Sequence, residues 1–506
     1  MKAAVPPSRI AVLAVVAVLA GCESSTEPVP SDGPSFSLLD GSPSSQRARY
    51  IVGARDSGFD EGFLDEVASR GGDLVGILPE IGVAFVESND PGFRLVMSRA
   101  RGVQVVIPDV ALELDDPMRG EVVLDHGSLP GAGFFDGLTW GIDAVGAPEA
   151  WAAGNRGAGV RVAVLDAGID HDHPDLAPNI DAGLSRSFVP CSTNGNCDGP
   201  VEDWRVRPGV FFNHGTHVAG IIGATGSLGV TGVAPEAELV VVKVCTEFAN
   251  ECFGSAIING LVHAADNGAD VVNMSLGFLL VLGNDWWMPY CREELGLSRR
   301  ECGRLARNYV TTQDDYVLSS MVIYKRVFQY ARDRGTTVVV AAGNDAIDAD
   351  HSKDTRLALA DFTQSIAVSA LGPLGWCYDQ STNVDGQAYY TNYGSSVIDV
   401  SAPGGNFLGF FIGSPYTDPC SVGVGSVQPA YAYDGVFSTV SGGWTWAEGT
   451  SMAAPHATGV AALLIAANGG SMSPAQVEQA LKATSHDLGA PGHDALYGAG
   501  RVWAGN

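Results

Sequence analysis

GVRVAVLDAGIDHDHPDL, residues 159–176, begins as an apolar β-branched run, stops at Asp166 and turns on Gly168. Val162 to Leu165 follow one another with no polar alternation, the pattern of a strand buried on both faces of a parallel sheet. Four further runs repeat it: ELVVVKVC (238–245), ADVVNMS (269–275), TTVVVAA (336–342) and SIAVSA (365–370). Helical stretches are expected at about 254–267, 317–334, 451–467 and 473–483. This alternation predicts an α/β domain over 137–506 with a doubly wound, mainly parallel sheet. Sheets of that kind hold ligands at the carboxyl ends of their strands.

The chain has 506 residues, enough for several domains, and is 46% hydrophobic with 64 glycines. Its 29 basic and 57 acidic residues leave a formal charge of −28, which repels phosphate backbones and argues against a nucleic-acid partner. Residues 1–21 read as a targeting segment: Lys2 and Arg9 precede an apolar stretch, Ile10 to Ala20, that is too short for an ordinary membrane helix. It ends in LAGC, which resembles a bacterial lipobox and implies cleavage before Cys22 and lipid attachment there. Residues 22–48, rich in Ser, Pro and acid, read as a flexible tether. Export fits the remaining eight cysteines, for which near-neighbour disulfides are expected: Cys191–Cys197, Cys245–Cys252, Cys291–Cys302 and Cys377–Cys420.

Residues 49–114 read as a small α+β module: a strand at 50–54, a helix at 63–72, a strand pair at 75–88, a helix at 91–101 and a closing strand at 103–114. The loose run 115–136 follows it, exposed and cleavable.

The chemistry gathers at strand ends and helix starts. Asp166 closes one strand, His214 opens the small-residue helix of HGTHVAGII, and Ser451 opens another in GTSMAAPHATGVAALL. A hydroxyl needs a base to remove its proton, and that base needs a carboxylate to fix its tautomer. Asn344, at the end of VVVAAGN, can donate its amide to an oxyanion. VLDAGIDHDHPDL, HGTHVAGIIGA, VVVAAGN and GTSMAAPHATGVAALL together resemble the signature blocks of the subtilisin-like serine proteases, in that family's Asp…His…Ser order. LTWGIDAVGAPEAW (138–151) is similar to the family's mature lead-in.

The resemblance implies a serine endopeptidase that cuts polypeptides through an acyl-enzyme. Asp166 orients, His214 is base then acid, Ser451 is the nucleophile and Asn344 stabilises the oxyanion. It further implies that SLG (Ser275, Leu276, Gly277) and the Ala342–Gly343 segment wall the primary specificity pocket, while a peptide pairs with exposed backbone edges. Residues 49–114 resemble the inhibitory propeptide, expected to lie in the cleft near VALEL and to be cut close to Leu114. No organic cofactor is implied. Calcium stays open: Asp175 matches a ligand position of a family site, but Gly226 stands where an asparagine is usual.

His214 and His217 at i, i+3 lack the zincin spacing and glutamate, so His217 is expected to be a structural partner, as is His456. DHDHPD (170–175) reads as a surface turn. Two stretches exceed the family's usual length: 185–212, and 278–315, which carries Trp286 and Trp287 and is expected over the cleft rim. The expected protein is a monomer, exported to the bacterial envelope and anchored to membrane through Cys22; whether maturation then releases its catalytic domain stays open. The rival is a non-catalytic envelope binding protein on the same scaffold. A serine esterase of another fold is disfavoured, because Ser451 follows both of its partners in the chain.

Overall fold

A computed structural model describes residues 47–505 apart from 56–57, 60–61, 114–123, 126–130, 191–202, 208–209, 211, 247–250, 282–297, 353–354 and 424–426. The targeting segment, the tether up to residue 46, most of the cleavable run, Trp286 and Trp287 lie outside the described residues, as do the expected Cys191–Cys197 and Cys291–Cys302 pairings.

The amino-terminal module is a four-stranded antiparallel sheet. Its strands are β1 (Ala48–Ala54), β2 (Gly72–Leu78), β3 (Val83–Ser88) and β4 (Val103–Pro108), in the order β2-β3-β1-β4. Helices α1 (Phe63–Ser69) and α2 (Phe93–Met97) supply Phe63, Val67, Phe93 and Met97 to a core with Tyr50, Val52, Val86 and Val106. The expected closing strand 103–114 is instead two strands. Pro108 ends β4, and its missing N–H cannot continue a ladder. The chain then pairs again as β5 (Ala111–Glu113), in antiparallel register with a strand of the larger domain.

That domain is built on seven parallel strands. They are β6 (Arg161–Asp166), β7 (Arg186–Ser187), β8 (Glu238–Lys243), β10 (Val271–Met274), β11 (Thr337–Ala341), β12 (Ser365–Leu371) and β13 (Val400–Pro403). The order is β13-β12-β11-β10-β6-β8-β7. β9 (Glu251–Phe253) stands outside this sheet and carries β5 on its edge, Cys252 opposite Leu112. Val162 to Leu165 are fully buried, as the missing alternation requires, and each Val or Leu among them contributes about 1.5–3 kcal/mol.

Helices α3 (His214–Gly223), α4 (Gly254–Asp266), α5 (Arg299–Asp333), α7 (Thr450–Ala467) and α8 (Pro474–Thr484) flank the sheet, with the short α6 (Leu408–Ile412) following β13. The fold class is therefore as expected, a doubly wound, mainly parallel α/β domain preceded by a small α+β unit. α5 begins eighteen residues before the expected 317, inside the 278–315 stretch. α7 is apolar all round because it is a core helix, buried almost throughout from Thr450 to Ile465. The hairpin β14 (Val436–Val440) and β15 (Gly443–Ala447) leads directly into it. Disulfides join Cys245 to Cys252 beside β9 and Cys377 to Cys420, both as expected.

Candidate active site

The chain order reverses around β6: β8 lies on one side and β10 on the other, so the strand ends there open a crevice. Asp166 is the last residue of β6, His214 the first of α3 and Ser451 the second of α7. Both Asp166 carboxylate oxygens stand 2.9 Å from His214 Nδ1, and Oδ1 also accepts the Ala167 N–H at 2.7 Å. Both side chains are 1% exposed. A carboxylate on Nδ1 holds the tautomer whose Nε2 can take a proton.

Neighbouring residues set that contact. Asn213 caps α3, its Oδ1 accepting from Thr216 N–H and Thr216 Oγ1 at 2.8 Å each, while its Nδ2 donates to the Ala167 carbonyl at 3.1 Å. Gly215 permits the approach of α3 to β6, since a Cβ there would lie 2.3 Å from the Gly168 carbonyl oxygen and 2.9 Å from Asp166 Oδ1.

Ser451 is fixed through the residue before it. Asn344 Oδ1 accepts from Thr450 N–H at 2.9 Å and Thr450 Oγ1 at 2.8 Å, and Thr450 Oγ1 accepts the Gly343 N–H at 3.0 Å. With Oδ1 committed, Asn344 Nδ2 is the donor left for a bound group. Ser275 Oγ donates to the Ser451 carbonyl at 2.7 Å, and Asn273 and Thr458 brace it in turn. Ser451 Oγ donates to the Ser275 carbonyl at 3.3 Å, a long bond, whereas His214 Nε2 is buried with no partner among the described residues. Such catalytic contacts commonly tighten only when substrate is bound.

Ser275–Gly277 and Ala342–Gly343 continue the neighbouring strands β10 and β11, paired Met274 to Val340. A Cβ on Gly277 would sit 3.5 Å from the Ala341 carbonyl oxygen, so these two backbones are in contact. The Leu276 side chain is fully buried, so only its main chain can face a ligand. Gly343 has φ +94°, and a Cβ there would strike Asn392 Nδ2 at 2.4 Å. Asn392 was not legible in the sequence. It bonds the Ala342 carbonyl at 2.9 Å and the Asp345 and Ile347 N–H groups, holding the loop that presents Asn344.

The other sequence candidates have structural jobs. Burial pushes His217 down to about 3 and His456 down to about 4, and one ring nitrogen of each meets a carbonyl, that of Thr445 at 3.2 Å and that of Met452 at 2.8 Å. DHDHPD is a surface turn only in part: Asp172 is exposed, but His173 and Asp175 are buried.

Asp175 is not built to hold calcium. Its oxygens accept N–H groups of Leu228 (2.7 Å), Gly229 (2.9 Å) and Val230 (3.1 Å), and the Trp444 indole N–H (3.1 Å). Donors converge where a cation needs lone pairs. Among the described residues no group of three or more His, Cys, Asp or Glu side chains is placed to hold a metal ion. Before α7, Glu448 is buried, accepts Tyr389 Oη at 2.7 Å and the Phe407 N–H, and burial pushes its carboxyl up to about 7.

A family model described as the subtilase family matches residues 157–500. Subtilisin E of Bacillus subtilis (strain 168) is 32% identical over 366 residues, covering 72% of this chain and 70% of that protein. Subtilisin Savinase of Lederbergia lenta is 32% identical over 366 residues, covering 72% and 96%. Among solved structures, the epidermin leader peptide processing serine protease of Staphylococcus aureus aligns with TM-score 0.65 at 20% identity, covering 91% of this chain and 97% of that one. Fervidolysin of Fervidobacterium pennivorans aligns with TM-score 0.59 at 24% identity, covering 90% and 60%. The two structural likenesses concern the fold.

Proposed function

Because the chain belongs to the subtilase family and is a serine-type endopeptidase, we propose that Asp166, His214 and Ser451 carry its chemistry and that it is made as a self-processing, lipid-anchored zymogen. Ser451 Oγ attacks the scissile carbonyl carbon while its proton passes to His214 Nε2. The resulting oxyanion accepts hydrogen bonds from Asn344 Nδ2 and from the Ser451 N–H in the first turn of α7. As the intermediate collapses, His214 returns the proton to the departing amine, and water then repeats the sequence on the acyl-enzyme. Asp166 keeps the imidazole oriented and stabilises its cationic form. The observation that carries this reading is the doubly contacted Asp166–His214 pair beside a serine whose helix start is tied to Asn344.

Ser275–Gly277 and Ala342–Gly343 wall the pocket for the side chain before the cut, and β9 offers the edge that takes an extended peptide. Support for the zymogen comes from β5 already lying on that edge, and from two clamps between module and catalytic domain. Asp109, just before β5, accepts the Ser255 N–H and Oγ–H at the start of α4. Arg326 on α5 donates to the Ala54 carbonyl at 2.6 Å and to Gln104. The cut falls near Leu114. Cleavage there leaves the lipid of Cys22 on the propeptide side and frees the catalytic domain outside the cell.

No organic cofactor enters this chemistry. A structural calcium ion remains part of the proposal, at a loop other than that of Asp175. A fluorophosphonate probe tests the site: mature protein should carry the label on the peptide containing Ser451. Labelling elsewhere, or none, removes the assignment.

A further inference from the structure

The structure carries an exposed aromatic cluster that the catalytic steps do not use. α6 presents Phe410, Phe411 and Ile412 at 48%, 57% and 51% exposure. Phe411 meets Tyr389 edge-on at 5.5 Å, and Phe410 meets Tyr431 at 5.4 Å. From Val400 to Thr417 the sequence has no charged residue, in a chain whose net charge is −28. Exposed apolar surface of this kind marks a binding site more often than chance.

The cluster is built onto the nucleophile's own support. Tyr389 is held by Glu448, the residue before Gly449 and Thr450, and the same carboxylate accepts the Phe407 N–H at the foot of α6. Gly449 N–H in turn bonds the Gly404 carbonyl at 2.9 Å. The sheet order gives the direction. The peptide edge β9, occupied by β5, lies past the end of β8, whereas α6 follows β13 at the opposite margin of the sheet. Asp166 ends one of the strands between them, and Ser275 and Asn344 lie just past the ends of two others. A peptide whose acyl half lies on β9 and whose carbonyl meets Ser451 therefore sends its leaving half toward α6. From β10 and β11 to β13 is two to three strand spacings, roughly 10–14 Å, the length of about three to four extended residues.

We infer that Tyr389, Phe410 and Phe411 form a subsite for a bulky apolar side chain on the leaving-group side, three to four residues after the scissile bond. The inference rests on the peptidase reading and names part of its substrate class.

The test uses mature enzyme and peptides identical before the cut, with Leu, Phe or Ser at the third position after it. Wild type should favour Leu and Phe over Ser by about tenfold or more in kcat/KM, the usual reach of an apolar pocket. Phe410→Ser with Phe411→Ser should reduce that ratio below about twofold, and Phe411→Leu should keep most of it. An anilide substrate with no residue after the cut should be turned over equally by all three, which checks their folding and catalytic competence. Cleavage without preference overturns the subsite, as does a preference that survives loss of both rings. The same holds if the double variant loses only binding to phospholipid vesicles, which would make the patch a membrane contact. Failure of wild type to cut any peptide or the anilide would overturn the peptidase reading instead, and the subsite with it.

Discussion

Asn344 Oδ1 holds Thr450, which leaves Nδ2 as the donor that the proposed mechanism assigns to the oxyanion. Asn344→Asp keeps the acceptor for Thr450 and removes the donor. It should lower kcat by about 10²–10³ with little change in KM, the loss known for the oxyanion asparagine of subtilisin itself. An unchanged kcat in a well-folded variant would remove Asn344 from the oxyanion site. Glu448 gives a pH prediction. Its folded carboxyl sits at about 7 against an ordinary 4.5, so between those values the folded chain binds more protons than the unfolded one. Stability should then fall as pH rises through that window and level off above about 7. Glu448→Gln should remove up to ~3 kcal/mol of that slope, read from denaturant midpoints in an inactive background. An identical slope in both proteins would show that Glu448 ionises freely. Asp166, His214, Asn344 and Ser451 were legible because each sits in a short block at a strand end or helix start. Asn392 and Thr450 were not, since their roles arise only when distant loops meet. Asp175 was legible as important, but its burial among N–H donors was not.

Among the elements, β6, β8, β10, β11 and β12 announced themselves as unbroken apolar runs, because strands covered on both faces need no polar alternation. β13 escaped notice because Val400–Pro403 is short and runs into glycines that read as loop. The early turns of α5 escaped because RRECGRLARNYVTTQDD is polar and shows no clear apolar stripe. Two carboxylates tie elements together and can be tested as such. Asp175 joins the turn after β6 to the loop following α3 and to β15. Asp175→Ala should leave several buried N–H groups unpaired and destabilise the fold by about 2–4 kcal/mol, equally with calcium or a chelator. A loss confined to calcium-containing buffer would restore the metal reading. Asp109 caps α4 from the module. Asp109→Ala should weaken docking of the module roughly tenfold, about the worth of a lost cap, and slow maturation measurably. Unchanged processing kinetics would reduce that contact to an ornament.

At the scale of the whole molecule, the module, β9 and the proposed catalytic residues form one arrangement: β5 lies on β9, and the chain after it is the segment expected to be cut. The fold likeness to the Staphylococcus aureus protease extends over 91% of this chain and 97% of that one. If cutting separates lipid from catalyst, membrane fractions should hold the module while the catalytic domain turns up in the medium. A mature domain that sediments with membrane would count against release. Ionic strength should matter little to the docked module, since its strongest ties are an Asp109 cap and Arg326 on main-chain carbonyls rather than exposed ion pairs. The most direct measurement is the intact mass of purified chain beside its Ser451→Ala variant. The expected result is a wild type shortened by about the first 114 residues and a variant that keeps them. If both are trimmed alike, Ser451 is not the nucleophile of maturation, and an outside protease does the cutting.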